Sequence, residues 1–264
     1  MQLPFFKYQG AGNDFIMIDN RSGDFDFLTI EHIKTLCDRH FGIGSDGLIK
    51  LSSHESCHFY MDFFNPDGSK SFCGNGARCA VAFFTHLTEK HPVITFEAID
   101  GFHEAFVEKG DSIRLKMKDL ISENLNDSLV YEINTGSPHL VLFESTIDQL
   151  DVYSNGSTIR YSEKYKQQGI NVNFIEELSS NSIAIRTYER GVENETLACG
   201  TGITAAAIAY GLKNDLQGKN CIAVKALGGN LSVEFDQVET GDFRDIYLIG
   251  PAKFVFKGEY ELHV

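Results

Sequence analysis

No run of apolar residues in this chain is long enough to cross a bilayer as a helix, and its few Lys and Arg residues are scattered rather than gathered in a stripe. The first absence argues against a helix spanning a membrane. The second, with a net charge of −14 and a pI near 5.0, means that a phosphate backbone would be repelled. Neither membrane nor nucleic acid is an expected partner. Met1–Lys7 has none of the basic region, apolar stretch and small-residue cleavage site of a secretory signal, so a cytoplasmic location is expected. The six cysteines (Cys37, Cys57, Cys73, Cys79, Cys199 and Cys221) form no CxxC pair and are few for a disulfide framework. Reduced thiols follow. Asn126, Asn155 and Asn194 each open an N-x-S/T pattern, which has no physical consequence without secretion.

What is present is enough apolar material, 42% of 264 residues, for one large domain or two ordinary ones. Short alternating or apolar runs predict strands at 16–19, 48–51, 57–64, 93–96, 112–117, 183–188, 221–225, 231–235, 246–249 and 253–256. Between Phe27 and Cys37 the apolar residues recur at helical spacing, with Thr29 available as an N-cap, which predicts an amphipathic surface helix. Two other segments, Ala77–Leu87 and Thr201–Leu212, are apolar or small almost all the way round. A helix with no polar face is a buried one.

Each of those buried helices follows a near-identical turn, Cys73-Gly-Asn-Gly76 in the first half and Cys199-Gly-Thr-Gly202 in the second. A second correspondence, Gly12–Ile18 with Gly136–Leu142, lies at almost the same offset. Two matches in register argue for a duplicated unit. The chain then reads as two similar α/β domains, each wrapping strands around one buried helix, joined near Lys118 where a strand gives way to the polar stretch 118–128.

A thiol at the mouth of a helix lies beside unsatisfied backbone N–H groups and the positive end of the helix dipole, both of which favour the thiolate. The glycines that follow let a ligand approach those N–H groups, so the same helix start offers a base and an anion site. With two such starts facing each other across a domain interface, one thiolate removes an α-proton from one face of a carbon while the opposite thiol delivers one to the other. Developing charge on the neighbouring carboxylate is met by donors already aimed at it. Cys37, Cys57, Cys79 and Cys221 read as structural. Near the two turns, Arg190 offers a bidentate carboxylate clamp, and Glu189, Asn13, Asn65 and Asn171 offer groups for an ammonium or carboxylate. Any one of those asparagines alone would read as a turn residue.

Taken together, Gly10–Phe15, Asn65–Gly68, Cys73–Cys79, Tyr188–Gly191 and Cys199–Gly202 resemble the diaminopimelate epimerase family, and the likeness runs from end to end of the chain. The resemblance implies an α/β fold of the α+β type. Two pseudo-symmetric domains, 1–117 (with the C-terminal strand 252–264) and 118–251, would each wrap a curved, mostly antiparallel sheet around a central helix. It implies a cofactor-free enzyme, without pyridoxal phosphate or metal, that interconverts LL- and meso-2,6-diaminopimelate for lysine and cell-wall precursors, with this small molecule as its partner and a homodimer as its assembly. Carried over by position, Cys73 and Cys199 are the acid/base pair, and Gly74, Asn75, Gly200 and Thr201 bind the carboxylate at the reacting centre. Asn13, Asn65, Asn171, Glu189 and Arg190 surround the substrate, with Asn65 and Arg190 toward its distal end, and His139 and Ser137 support the site. Three departures bear on the distal contacts: Ser137 stands where many members have Asn, Gly47 lies near a position where some carry Gln, and the 191–196 loop is one residue longer.

Rival readings are weaker. Gly42–Gly47 matches GxGxxG, but it follows a helical segment and precedes a strand, the reverse of a dinucleotide site. His54, Cys57 and His58 lack a fourth ligand and standard zinc spacing. A proline or hydroxyproline racemase uses the same two-thiol logic, but a substrate of that size needs a closed apolar pocket. A non-enzymatic redox sensor would use Cys73 and Cys199 as a switchable disulfide.

Overall fold

The computed structural model of the chain describes residues 1–89, 91–121 and 130–262. The polar stretch 118–128, where the join between domains is expected, lies outside the described residues from position 122 onward. The chain divides into two compact units, Met1–Leu115 with Gly250–Val264, and Lys116–Ile249.

In the first unit the strands are β1 (Gln2–Gly10), β2 (Asn13–Asn20), β3 (Gly47–Ser52), β4 (Phe59–Phe64), β5 (Ile94–Ala98), β6 (Gly101–Val107), β7 (Ser112–Lys116) and, from the other end of the chain, β17 (Lys253–Glu261). They pair in the order β17-β1-β2-β3-β4-β5-β6-β7, parallel at β2/β3 and β4/β5 and antiparallel elsewhere. Helix α1 (Ile30–Cys37) fills the first parallel crossover and α2 (Gly74–Leu87) the second. Thr29 caps α1 through a capping box with His32, so the helix begins at its cap and Phe27, two residues before that cap, stays outside. Ala77, Ala80, Val81 and Phe83 of α2 are wholly buried, against β1, β2, β3, β4, β6 and β17.

The second unit holds β8 (Leu120–Ile121), β9 (Val130–Asn134), β10 (Pro138–Phe143), β11 (Asn171–Ser179), β12 (Ser182–Glu189), β13 (Asn194–Thr196), β14 (Gly218–Ala226), β15 (Gly229–Glu239) and β16 (Asp242–Pro251). Their order is β9-β10-β11-β12-β14-β15-β16-β8, with β13 beside β12; β10/β11 and β12/β14 are parallel and the other pairs antiparallel. From β9 to β16 the alternation of antiparallel and parallel pairs repeats that from β1 to β7. Helix α3 (Val152–Arg160) fills the first crossover here and α4 (Gly200–Lys213) the second. Ile203 and the run Ala205–Ala209 of α4 are completely buried, against β9, β10, β11, β12, β14 and β15. Small side chains let a fourteen-residue helix lie inside a sheet with no room for a polar face.

Candidate active site

Cys73 is the N-cap of α2. Its backbone is extended and its Sγ accepts a bond from Gly76 N at 3.4 Å, so the thiol sits among the orphan N–H groups of the first turn. The residue before it, Phe72, stacks flat on His103 with centroids 4.3 Å apart, which fixes the entry to the turn. Behind the helix start runs a polar chain. Arg78 Nη2 donates to Asn75 Oδ1 at 2.9 Å, Asn75 Nδ2 donates to Asn13 Oδ1, and Asn13 Nδ2 donates to Asp46 Oδ2 at 3.1 Å. Asp46 and Asp14 share Arg39, at 2.7 and 2.6 Å, and Asp14 also meets Lys7 at 2.7 Å. Burial opposes the Asp14 charge, yet hydrogen bonds and charge from Arg39 and Lys7 hold its carboxyl below the usual range.

Arg78 is fully buried, and its Nε and Nη1 have no partner among the described residues. Burial works against its charge, while Cys79 and Cys73 favour it; a guanidinium nevertheless stays protonated. Arg78 and Asp14 lie inside the motifs Cys73–Cys79 and Gly10–Phe15, but nothing in their spacing marks them or Asp46 as part of the site. Asn65 is half-buried, and its Nδ2 bonds Ser69 O, Ser69 Oγ and Ser71 Oγ at 3.0 to 3.2 Å. Those bonds close the loop that leads into Cys73.

Cys199 is the N-cap of α4, buried and extended in backbone. Its Sγ lies 3.5 Å from Thr201 Oγ1. Thr201 Oγ1 is 2.9 Å from His139 Nε2 and 3.2 Å from Ser137 Oγ, and Thr135 Oγ1 donates to Thr201 O at 2.7 Å. His139 Nε2 is also 2.9 Å from Ser137 Oγ, and its Nδ1 is 3.1 Å from Asn173 Nδ2. Burial, reinforced by the Arg190 charge, pushes the His139 imidazole down to about 3. Asn171 Nδ2 donates to Ser137 Oγ and Pro138 O while its Oδ1 accepts from Arg190 N at 2.9 Å. The Arg190 side chain is exposed and donates to Gln168 O at 2.9 Å, and Glu189 Oε2 accepts from Thr196 Oγ1 at 2.9 Å.

Within the first unit, then, Asn13, Asn75 and Cys73 gather at one helix start, while Asn65 serves its own loop. Within the second, Ser137, His139, Asn171, Thr201 and Cys199 form one connected group with the Arg190 backbone. Asn173 was missed by the sequence reading. The available signal was the spacing Asn171-Val172-Asn173, which puts two amides on one face of a strand. At Gly47 a Cβ would lie 2.4 Å from the Phe63 ring and 2.9 Å from Phe64 O, so a side chain there would require β4 to move.

The rival sites dissolve into ordinary contacts. Gly42–Gly47 does connect α1 to β3, the reverse order for a dinucleotide turn. His54 pairs with Glu97 at 2.7 Å, His58 bonds Thr95, and Cys57 donates to Phe59 O.

The family model described as diaminopimelate epimerase matches residues 5–112 and 131–255. Among curated relatives, a diaminopimelate epimerase of Flavobacterium psychrophilum is 48% identical over 97% of this chain and 99% of its own length. One from Chlorobaculum tepidum is 42% identical over 96% and 99%. Among solved structures, a Bacillus anthracis phenazine biosynthesis protein of the PhzF family superposes with a TM-score of 0.76 at 17% identity, over 99% of this chain and 100% of that one. A hydroxyproline epimerase from Agrobacterium vitis gives 0.69 at 12%, over 98% and 92%. At such identities these structures establish the fold alone.

Proposed function

This chain belongs to the diaminopimelate epimerase family, and from that premise we propose that it interconverts LL- and meso-2,6-diaminopimelate by a two-thiol acid/base reaction without a cofactor. The observation that carries the reading is that each buried helix, α2 and α4, starts at a cysteine followed by glycine-flanked N–H groups. One cysteine, as thiolate, takes the α-proton. The electron pair left on carbon spreads into the carboxylate, where the N–H groups of Gly74, Asn75, Gly200 and Thr201 stabilise it. The other cysteine, as thiol, gives its proton to the opposite face, and the pair ends with the proton exchanged between sulfurs. The reverse reaction swaps the roles.

Asn13, Asn171 and Glu189 are assigned to the ammonium and carboxylate groups, and Asn65 and Arg190 to the distal end. The Asn65 Nδ2 is taken up by its loop, so Asn65 meets substrate through Oδ1, as an acceptor. His139 and Ser137 support Cys199. The reaction belongs to the cytoplasmic supply of lysine and cell-wall precursors, and the enzyme acts as a homodimer, for which the exposed apolar run Phe254–Phe256 of β17 is the supporting feature.

The test is incubation with LL-diaminopimelate in deuterated water. Deuterium should wash into Cα of the product, and Cys73→Ala and Cys199→Ala should each slow turnover about 10²-fold or more while circular dichroism stays that of the wild type. A folded variant with near-normal turnover would refute the two-base assignment. Proline or hydroxyproline turned over in preference would hand the site to that class of substrate, and failure to exchange deuterium into any amino acid would leave a redox role for the thiols.

A further inference from the structure

The hydrogen bonds around Cys199 have a direction that can be worked out donor by donor. Asn173 Nδ2 lies 3.1 Å from the Leu140 carbonyl oxygen, which can only accept, and its Oδ1 lies 3.0 Å from the Thr187 hydroxyl. The amide orientation is therefore fixed, with nitrogen toward Leu140. The same Nδ2 lies 3.1 Å from His139 Nδ1. An amide nitrogen has no lone pair to offer, so Nδ1 accepts and the single proton of the neutral ring is on Nε2.

From Nε2 that proton points at two oxygens, Ser137 Oγ and Thr201 Oγ1, both 2.9 Å away. Ser137 Oγ also accepts from Asn171 Nδ2 at 3.1 Å, and that amide too is fixed in orientation, by Pro138 O and Arg190 N. The one Nε2 proton is shared between the two hydroxyls as a three-centre bond, so Ser137, which also takes the Asn171 amide proton, is the poorer acceptor for the Thr201 proton. It instead turns its own proton to Thr201 Oγ1, 3.2 Å away. Thr201 thus accepts from His139 and from Ser137, and its remaining hydrogen is directed at the Cys199 sulfur, 3.5 Å away.

We propose that Asn173 and His139 are positioning residues that fix Thr201 as a hydrogen-bond donor to Cys199, so that Cys199 rests as the thiolate of the pair and His139 itself exchanges no proton. The inference deepens the two-thiol reading and rests on it. The charged and titratable groups on the elements around this end of α4 include His139 on β10, Tyr188 and Glu189 at the end of β12 and Arg190 just beyond it. His139 is neutral by its bonding, Glu189 is engaged by Thr196, and the Arg190 charge disfavours a cationic imidazole. A neutral His139 and the Arg190 cation are compatible with a negative sulfur at the helix start, where the α4 dipole acts in the same direction, while the Glu189 carboxylate opposes it.

The direction of the chain also explains why residues distant in sequence are needed together. His139 and Thr201 are 62 positions apart, and His139 and Asn173 are 34 apart. β11 carries Asn171 and Asn173 on one face, one feeding each arm that converges on Thr201. A hydroxyl alone could rotate to suit either state of the sulfur; accepting from Ser137 and from the shared Nε2–H favours the rotamer that donates to it.

The experiment follows alkylation of Cys199 by iodoacetamide across pH, resolved by peptide mass spectrometry, in the full chain without substrate. Because no turnover is involved, its failure is separate from failure of the epimerase reading. Thr201→Val, which keeps shape and backbone N–H but removes the hydroxyl, should slow neutral-pH alkylation of Cys199 about tenfold and move the profile to higher pH. Thr201→Ser should restore a profile near that of the wild type. His139→Gln, whose amide nitrogen substitutes for Nε2–H, should lie nearer wild type than His139→Leu. In the unmodified protein, nitrogen NMR should show His139 neutral and protonated on Nε2 from about pH 5 to about pH 9. An unchanged alkylation profile in folded Thr201→Val would overturn the proposal, as would a wild-type His139 that titrates in that range or carries its proton on Nδ1.

Discussion

A proton added to His139 would have to be held without water, beside the Arg190 charge, and the imidazole is pushed down to about 3 for those two reasons in that order. In the unfolded chain the same ring titrates near pH 6.5. A depressed histidine contributes stability that is fully present above the unfolded value and is lost as pH falls toward the folded one. Between about pH 6.5 and about pH 3 the unfolded state binds one proton that the folded state refuses, so this residue adds a slope of about 1.4 kcal/mol per pH unit. Urea unfolding of the wild type and of His139→Gln, followed at several pH values from about 6.5 down to about 4, should therefore diverge in slope, with the variant shallower. Asp14, held low by Arg39 and Lys7 against its burial, contributes in the same sense but at more acid pH and equally in both proteins. Parallel slopes would show that His139 is not buried as a neutral ring.

The two helix starts look interchangeable in sequence and are not interchangeable in packing. A Cβ on Gly76 would meet the tip of Ile49 at 3.0 Å and Cys73 Cβ at 3.4 Å, a flexible methyl and an ordinary contact. A Cβ on Gly202 would lie 2.5 Å from Asn173 Oδ1 and 3.3 Å from both Cys199 Cβ and His139 Cε1. Gly202→Ala should thus displace the amide that sets the His139 tautomer, costing about 1–3 kcal/mol in stability and roughly tenfold or more in turnover. Gly76→Ala should lose less than about 1 kcal/mol, because relief of Ile49 is set against the helix-forming gain of alanine. Thermal unfolding and epimerase assays on the two variants check this, and equal effects would mean that the Asn173 contact does not matter.

The same elements show what was legible beforehand. α2 and α4 could be read because they are apolar on every side, the Cys73 and Cys199 caps because the motif occurs twice, and the α1 start because Thr29 has the chemistry of a cap. Strand β11 could not, since Asn171 and Asn173 point inward where the alternation rule expects apolar residues. Helix α3 carries Asn155, Gly156 and β-branched Thr158 and Ile159, a poor helical sequence. It is held by the Asp151 cap and by Gly156 fitting under Tyr188, where a Cβ would come within 2.4 Å. The polarity of the Thr201 network was beyond reach for a further reason. It depends on bonds between residues dozens of positions apart, and no local pattern encodes them.

For the whole molecule, assembly turns on β17. Every residue of that strand is half-buried or exposed, and among the described residues it pairs with β1 only. A bulge opposite Lys7 and Tyr8 leaves Val255 unpaired between Phe254 and Phe256 and bends the strand, so three consecutive apolar side chains are exposed by 44 to 52%. An apolar edge with unsatisfied backbone groups is a site for strand addition, and a second copy of the same edge satisfies both needs about a two-fold axis. Opposing this, each copy carries a net charge of −14, whose repulsion falls off with added salt. The expected result is a particle of about twice 29.5 kDa by sedimentation at micromolar concentration, tightening rather than loosening as salt is raised. Val255→Lys places a charge on the edge without touching the Phe5–Phe256 or Phe6–Phe254 ring contacts and should give a folded monomer. A wild type that sediments at 29.5 kDa would remove the dimer, and a Val255→Lys protein that sediments at twice that mass would place the interface elsewhere on the chain.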